Sequence, residues 1–155
     1  MQSLKFGSGV FLVVILLLAA AWWVMDFGPS EPVTVAGARV RLTPANAPMA
    51  GYFEMRNRSR NSVQLTAARS PAFGEIMIHR TVVEDGSSKM EHQHGGVMLA
   101  PGDVVSFEPG GLHLMLMDAK QALEVGDEVP VTLELEGTAE PELEVVFTVV
   151  PVTSS

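Results

Sequence analysis

Beyond residue 32 the chain reads as short runs in which apolar and polar positions alternate, or apolar positions follow one another. Clusters of Gly, Pro, Asn and Asp separate the runs. Successive side chains of an extended chain point to opposite sides, so this alternation marks strands with one buried face. Strands are predicted at about residues 33–42, 51–57, 62–68, 74–83, 97–100, 104–108, 112–118, 128–135 and 143–152. The breaks carry turn chemistry: TPANAP (43–48), NRSRN (57–61), EDGSS (84–88), APGD (100–103), EPGG (108–111) and EGTAEP (136–141). AKQALEVGD (119–127) is expected to hold a helical turn before Gly126. The pattern predicts an all-β sandwich or barrel over residues 33–152.

One run sorts its faces unusually. In GGLHLMLMD (110–118), Leu112, Leu114 and Leu116 take one side, while His113, Met115 and Met117 take the other. The leucine face is a core face. The other is either a second buried surface or a set of soft metal ligands.

Composition narrows the choice. The 155 residues are 47% hydrophobic, enough for one compact domain and a short appendage. A formal net charge of −8 argues against nucleic acid, which needs a basic stripe. The charges are uneven: from Asp103 to Glu144 there are eleven acids and one base, Lys120, whereas Arg56, Arg58 and Arg60 cluster in RNRSR. Both groups read as solvated surface. There is no cysteine, so disulfides, thiolate sites and thiol catalysis are excluded, and any soft ligand among the nine methionines must be a thioether.

Residues 1–27 form a separate segment. No charge occurs from Phe6 to Met25, and twenty helical residues span about 30 Å, roughly the hydrocarbon thickness of a bilayer. Lys5 before the run and Asp26 after it orient the N-terminus to the cytoplasm and the domain outside. A cleaved signal peptide ending near Ala19-Ala20-Ala21 is the rival to an uncleaved anchor. The apolar run continues through Trp22 and Trp23, which favours the anchor. GPSEP (28–32) is a linker. Either way the domain is expected to be exported.

His79, His92, His94 and His113 lie within one window, with Met77, Met90, Met98, Met115 and Met117 in or beside it. Parity groups Met77 with His79, and Met90 with His92 and His94 if that piece is extended. Imidazole and thioether without thiolate favour Cu(I) over Zn²⁺, Ca²⁺ or Mg²⁺. A type 1 copper site needs a cysteine. No EF-hand loop, HExxH pair or nucleophile elbow occurs. Taken singly, Met55, Met77, Met98 and Met117 read as core packing, since methionine is a flexible filler. His113-x-Met115 is harder to assign to packing, because burying an unpaired histidine is costly.

His79, ten intervening residues, Met90, then the PGG of 109–111 running into His113-x-Met115 closely resemble the periplasmic copper chaperones called PCu(A)C. Their signature is His, ten residues, Met, about twenty-one residues, then His-x-Met; here the second gap, Glu91 to Leu112, is twenty-two, one residue being added in the HQHGG turn. The resemblance runs from Val33 to Val152 and includes GYFEMRN, EDG before Met90, APGD, EPGGLHLMLM and LEVGDEVPVTLELEG.

The resemblance implies a cupredoxin-like β-sandwich with Cu(I) ligands at His79, Met90, His113 and Met115. Met117 keeps the usual context but is not normally a ligand. His92 and His94 depart from the pattern and are an auxiliary candidate, for Cu(II). Some relatives carry a His/Met-rich tail; this chain ends PVTSS, so one principal Cu(I) site is expected. Relatives deliver Cu(I) towards cytochrome oxidase copper centres, alongside Sco-type thiol proteins. The implied function is therefore a non-enzymatic copper chaperone on the periplasmic side of the bacterial inner membrane, tethered by the N-terminal helix, or soluble in the periplasm if that helix is cleaved. Its rivals are a copper-buffering or resistance protein without a specific acceptor and a copper-dependent redox enzyme.

Overall fold

The computed structural model describes residues 32–44 and 47–152. The apolar segment 1–27, with its expected membrane or signal helix, and the linker up to residue 31 lie outside the described residues. Among the described residues no helix is long and apolar enough to cross a membrane.

Among the described residues ten strands form: β1 (Val33–Arg41), β2 (Met49–Asn57), β3 (Val63–Arg69), β4 (Glu75–Glu84), β5 (Ser87–His92), β6 (Val97–Leu99), β7 (Val104–Phe107), β8 (Leu112–Met117), β9 (Glu128–Glu136) and β10 (Glu142–Val150). They are hydrogen-bonded in the order β5-β4-β8-β7-β2-β1-β10-β9-β3-β6. The β1–β10 and β7–β8 pairs are parallel and the others antiparallel.

Strands from both ends of that order feed one core. Ile78 of β4 and Leu114 of β8 belong to the same cluster as Phe147 of β10, Leu133 of β9, Leu65 of β3 and Leu99 of β6. The sheet therefore curls until its inner faces meet, as in a sandwich. Phe53 stacks on Phe107 at 4.2 Å between ring centroids and meets Phe147 edge-on at 5.6 Å. Gly51 permits this approach: a Cβ there would lie 3.2 Å from Leu114 Cβ and 3.5 Å from the Phe147 ring. Period-two alternation is clearest in β9, where Val129, Val131, Leu133 and Leu135 are all buried.

Three expectations are corrected. Residues 119–127 hold no helical turn. Glu124–Asp127 is a β-turn, in which the Asp127 N–H donates to the Glu124 carbonyl (3.1 Å) and Gly126 has φ +98°. A left-handed third residue fits a type II turn and cannot continue a helix. Second, Ser87–His92 is a strand. All six of its residues are exposed, so it has no buried face to leave a hydrophobic period. Third, of the four methionines read singly as core, Met55 is in the core, but Met77 and Met117 are half-buried on the outward face and Met98 is exposed. Strand parity assigns Met77 and Met117 to the face opposite the leucines.

The arginines of RNRSR are exposed, as expected of solvated surface. Asn57 at the start of that loop is fully buried. Its Nδ2 lies within hydrogen-bond distance of the carbonyls of Asn61, Leu99 and Ala100, and its Oδ1 accepts from Ser59, fastening the loop to β6.

Candidate metal site

In β8, Leu112, Leu114 and Leu116 are buried at 7%, 0% and 1% exposure, which fixes the strand's register and turns His113, Met115 and Met117 to the outer face. Antiparallel β4 lies alongside with Met77 opposite Met115 and His79 opposite His113. On the far side of β4 runs β5, with His92 opposite His79 and Met90 opposite Thr81. Residues opposite one another in a ladder share a face. The outer face thus carries a row His92–His79–His113 across three strands. Met77–Met115 forms the next row on one side, and Met90–Thr81 the next row on the other.

Two turns set these registers. Asp85 (φ +50°) and Gly86 (φ +76°) form the two-residue link between β4 and β5, the geometry of a type I′ hairpin. Glu108–Gly111 is a type II turn with Pro109 second and Gly110 (φ +80°) third, closed by the Gly111 N–H donating to the Glu108 carbonyl (3.0 Å). The Gly111 carbonyl accepts from the Thr81 N–H at 3.0 Å and lies 3.2 Å from His113 Nδ1. A carbonyl can only accept, so this contact holds the proton on Nδ1 and leaves Nε2 with a lone pair for a ligand.

His79 is the hub. Its ring centroid lies 5.3 Å from that of His92 and 6.0 Å from that of His113. Both of its ring nitrogens are buried, and neither has a hydrogen-bond partner. Buried polar atoms are nearly always paired, so an unpaired imidazole here points to a ligand or an ordered water. Burial, then the neighbouring His113, His92 and His94, push its pKa below the usual histidine value, which keeps the imidazole neutral and able to coordinate.

The remaining candidates sit at the edge. Met90 is 64% exposed and stands diagonally across the ladder from His79, a separation that long side chains bridge. His94 lies in the Gln93–Gly96 turn, closed by the Gly96 N–H to the Gln93 carbonyl at 2.9 Å. Its ring lies against that of His92, the centroids 3.9 Å apart and the planes tilted by 30°. The pair is therefore continuous with the histidine row. Among the described residues no three His, Cys, Asp or Glu side chains are grouped to hold a metal ion, and this face adds the thioethers of Met77, Met90 and Met115 to its histidines. That donor mixture suits a soft, monovalent ion.

Met77, read singly as core packing, shares this outer face. Its parity with His79 was the available signal; its position opposite Met115 follows from the β4–β8 register, which the sequence does not state.

The LpqE-like lipoprotein family model matches residues 33–147. A lipoprotein of Leifsonia xyli subsp. xyli, Lxx21020, is 30% identical over 93 residues, covering 59% of this chain and 56% of that protein. The Rickettsia prowazekii (strain Madrid E) protein RP573 is 36% identical over 81 residues, covering 52% and 45%. The chain thus spans about half the length of the curated relatives it matches. Among solved structures, a copper-bound PCuAC domain from PmoF2 superposes with a TM-score of 0.64 at 19% identity, over 78% of this chain and 94% of that one. The solution structure of CuI-DR1885 from Deinococcus radiodurans gives 0.60 at 28% identity, over 79% and 80%. The fold is therefore the cupredoxin-like sandwich of PCuAC domains.

Proposed function

Because the chain belongs to the LpqE-like lipoprotein family, a family of PCuAC-type β-domains, we propose that it is an extracytoplasmic Cu(I) carrier. Its principal ligands are His79, Met90, His113 and Met115. The observation that carries the reading is His79: a neutral imidazole with both nitrogens buried and unpartnered, between two histidines and diagonal to two thioethers. The structural relatives solved with copper and with Cu(I) support the choice of ion.

The ligand chemistry suits delivery rather than catalysis. Neutral thioethers and imidazoles add no negative charge around a monovalent ion. A d¹⁰ ion tolerates changing coordination, so an acceptor's donors can replace these one at a time. The acceptor is a cytochrome oxidase copper-site subunit, with Sco-type thiol proteins as co-workers. The segment 1–27 tethers the domain to the outer side of the inner membrane, which raises its concentration near a membrane-bound acceptor. His92 and His94 form an auxiliary position for Cu(II).

The test is an anaerobic Cu(I) titration of the full chain in detergent against a chromophoric Cu(I) chelator, followed by mixing with an apo oxidase copper-site domain. The expected result is a one-to-one complex that passes its copper on. Binding without transfer would make the protein a copper buffer. A stable Cu(II) form with substrate turnover would make it a redox enzyme, and failure to compete with the chelator would remove copper altogether. A second-copper signal lost in His92→Ala/His94→Ala supports the auxiliary position; an unchanged signal rejects it.

A further inference from the structure

The outer face holds more thioethers than the His-x10-Met…His-x-Met spacing accounts for, and the ladder decides which lie together. Met115 and Met77 are directly opposite on β8 and β4. Opposed residues in such a ladder have Cβ atoms about 5 Å apart. Both are half-buried, and each is two residues from a histidine of the central row: Met115 from His113, Met77 from His79. Met90 is on the other side of that row. It is displaced from Met115 by two rows, about 13 Å along the strands, and by two strand spacings, about 10 Å.

From this arrangement we infer that Met77 is a further thioether ligand, so that His79, His113, Met115 and Met77 form an inner group of donors beside Met90. The inference rests on the Cu(I) reading above. A compact quartet is available in two adjacent rows of one strand pair, and it needs no backbone movement. Met90 closes on the same ion from the exposed strand β5, exposure rising from half-buried Met77 and Met115 to 64% at Met90.

Met77 also has the chemistry expected of a ligand rather than of a filler. The inward neighbours on its strand pair are Ile78, Leu114 and Leu116, ordinary core residues at 4%, 0% and 1% exposure. On the outward side, the same two strands present only His113, Met115 and Met117 from β8 against Glu75, Met77 and His79 from β4. Aliphatic residues are absent from that stretch of the face.

The experiment uses the full chain in detergent, loaded anaerobically with Cu(I). Affinity is read by competition with bathocuproine disulfonate, and sulfur ligands are counted by X-ray absorption at the copper edge. Met77→Leu, Met90→Leu and Met115→Leu are compared, each checked for unchanged strand signal and melting as the apo protein. Met77→Leu is expected to weaken Cu(I) binding at least about tenfold, since even indirect partners of a ligand are worth 10–100-fold. It should also lower the sulfur count by one, as should Met90→Leu and Met115→Leu. Wild-type affinity in Met77→Leu alongside collapse in Met115→Leu would overturn the inference and leave the copper reading standing. So would a wild-type count of two sulfurs, the number that Met90 and Met115 supply alone, a result that does not depend on the Met77 variant folding. Failure of the wild type to compete for Cu(I) would instead overturn the copper reading, and this inference with it.

Discussion

Strands β8 and β5 flank β4 and carry the same donors in mirrored order, His113-x-Met115 on one and Met90-x-His92 on the other. Their surroundings differ sharply. β8 is paired with β4 on one side and with β7 and β2 on the other, and every second residue is a leucine locked in the core. β5 is an edge strand with all six residues exposed. His113 is 6% exposed and held by a backbone carbonyl, whereas the His92 ring meets His79 and another exposed histidine, His94. The same donor types therefore come in a buried and an exposed version around one shared imidazole. On the proposed copper-carrier reading, the buried version is preorganised for affinity and the exposed one is where an acceptor would begin.

The sharpest way to break this comparison is through the core. Leu114→Ala should cost about 2–5 kcal/mol of folding stability, the range for a fully buried leucine, while Glu91→Ala on β5 should stay within about 0.5 kcal/mol. Denaturant melts of the two apo variants check it; equal losses would mean that β5 is no less built-in than β8. Next in size is the ligand pair. His113→Ala should lower Cu(I) affinity by at least about a hundredfold and His92→Ala by about tenfold or less, against a scale of 10–100-fold for outer partners of a ligand. A chelator competition that ranked them the other way would move the holding site to the edge.

The smallest effect is that of pH. The His79 pKa is depressed in the folded protein, so below about pH 6.5, the ordinary histidine value, the unfolded chain binds the proton more readily. Stability contributed by neutral His79 is present above that pH, falls as the solution is acidified, and levels off below the folded pKa. Copper affinity falls in the same direction, because the ion competes with the proton. Apo melts from pH 7.5 to 5, with His79→Gln as the flat reference, test the sign. A slope unchanged in His79→Gln would shift the effect to another histidine.

The contrast between the two strands also marks how far the sequence could be read. Leu112, Leu114 and Leu116 announced β8 because a buried face leaves a period, and Pro109-Gly110 announced the turn that feeds it. Ser87–His92 left no such trace: with both faces in water, SSKMEH has no apolar alternation, and only Asp85-Gly86 hints at the hairpin. The candidate site was legible as a set of residue types and spacings. Its neighbour relations were not. That His79 faces both His92 and His113, and that Met77 faces Met115, depends on a non-local choice, the pairing of β4 with β8, which no stretch of sequence specifies alone. The helical turn expected near Gly126 failed for a local reason, since a left-handed glycine closes a type II turn.

The ladder has a consequence for lineage. What sets the distance from Met90 to His113 is the stacking of β5 on β4 and of β4 on β8, whereas the twenty-two residues from Glu91 to Leu112 travel through β6 and β7 and several turns. Insertions or deletions in those turns leave His79, Met90, His113 and Met115 where they were; of the candidate donors only His94, which lies in one of the turns, would move. Homologues gathered by a fixed interval between methionine and histidine would omit proteins whose donor face is intact. A filter on cross-strand register would recover them.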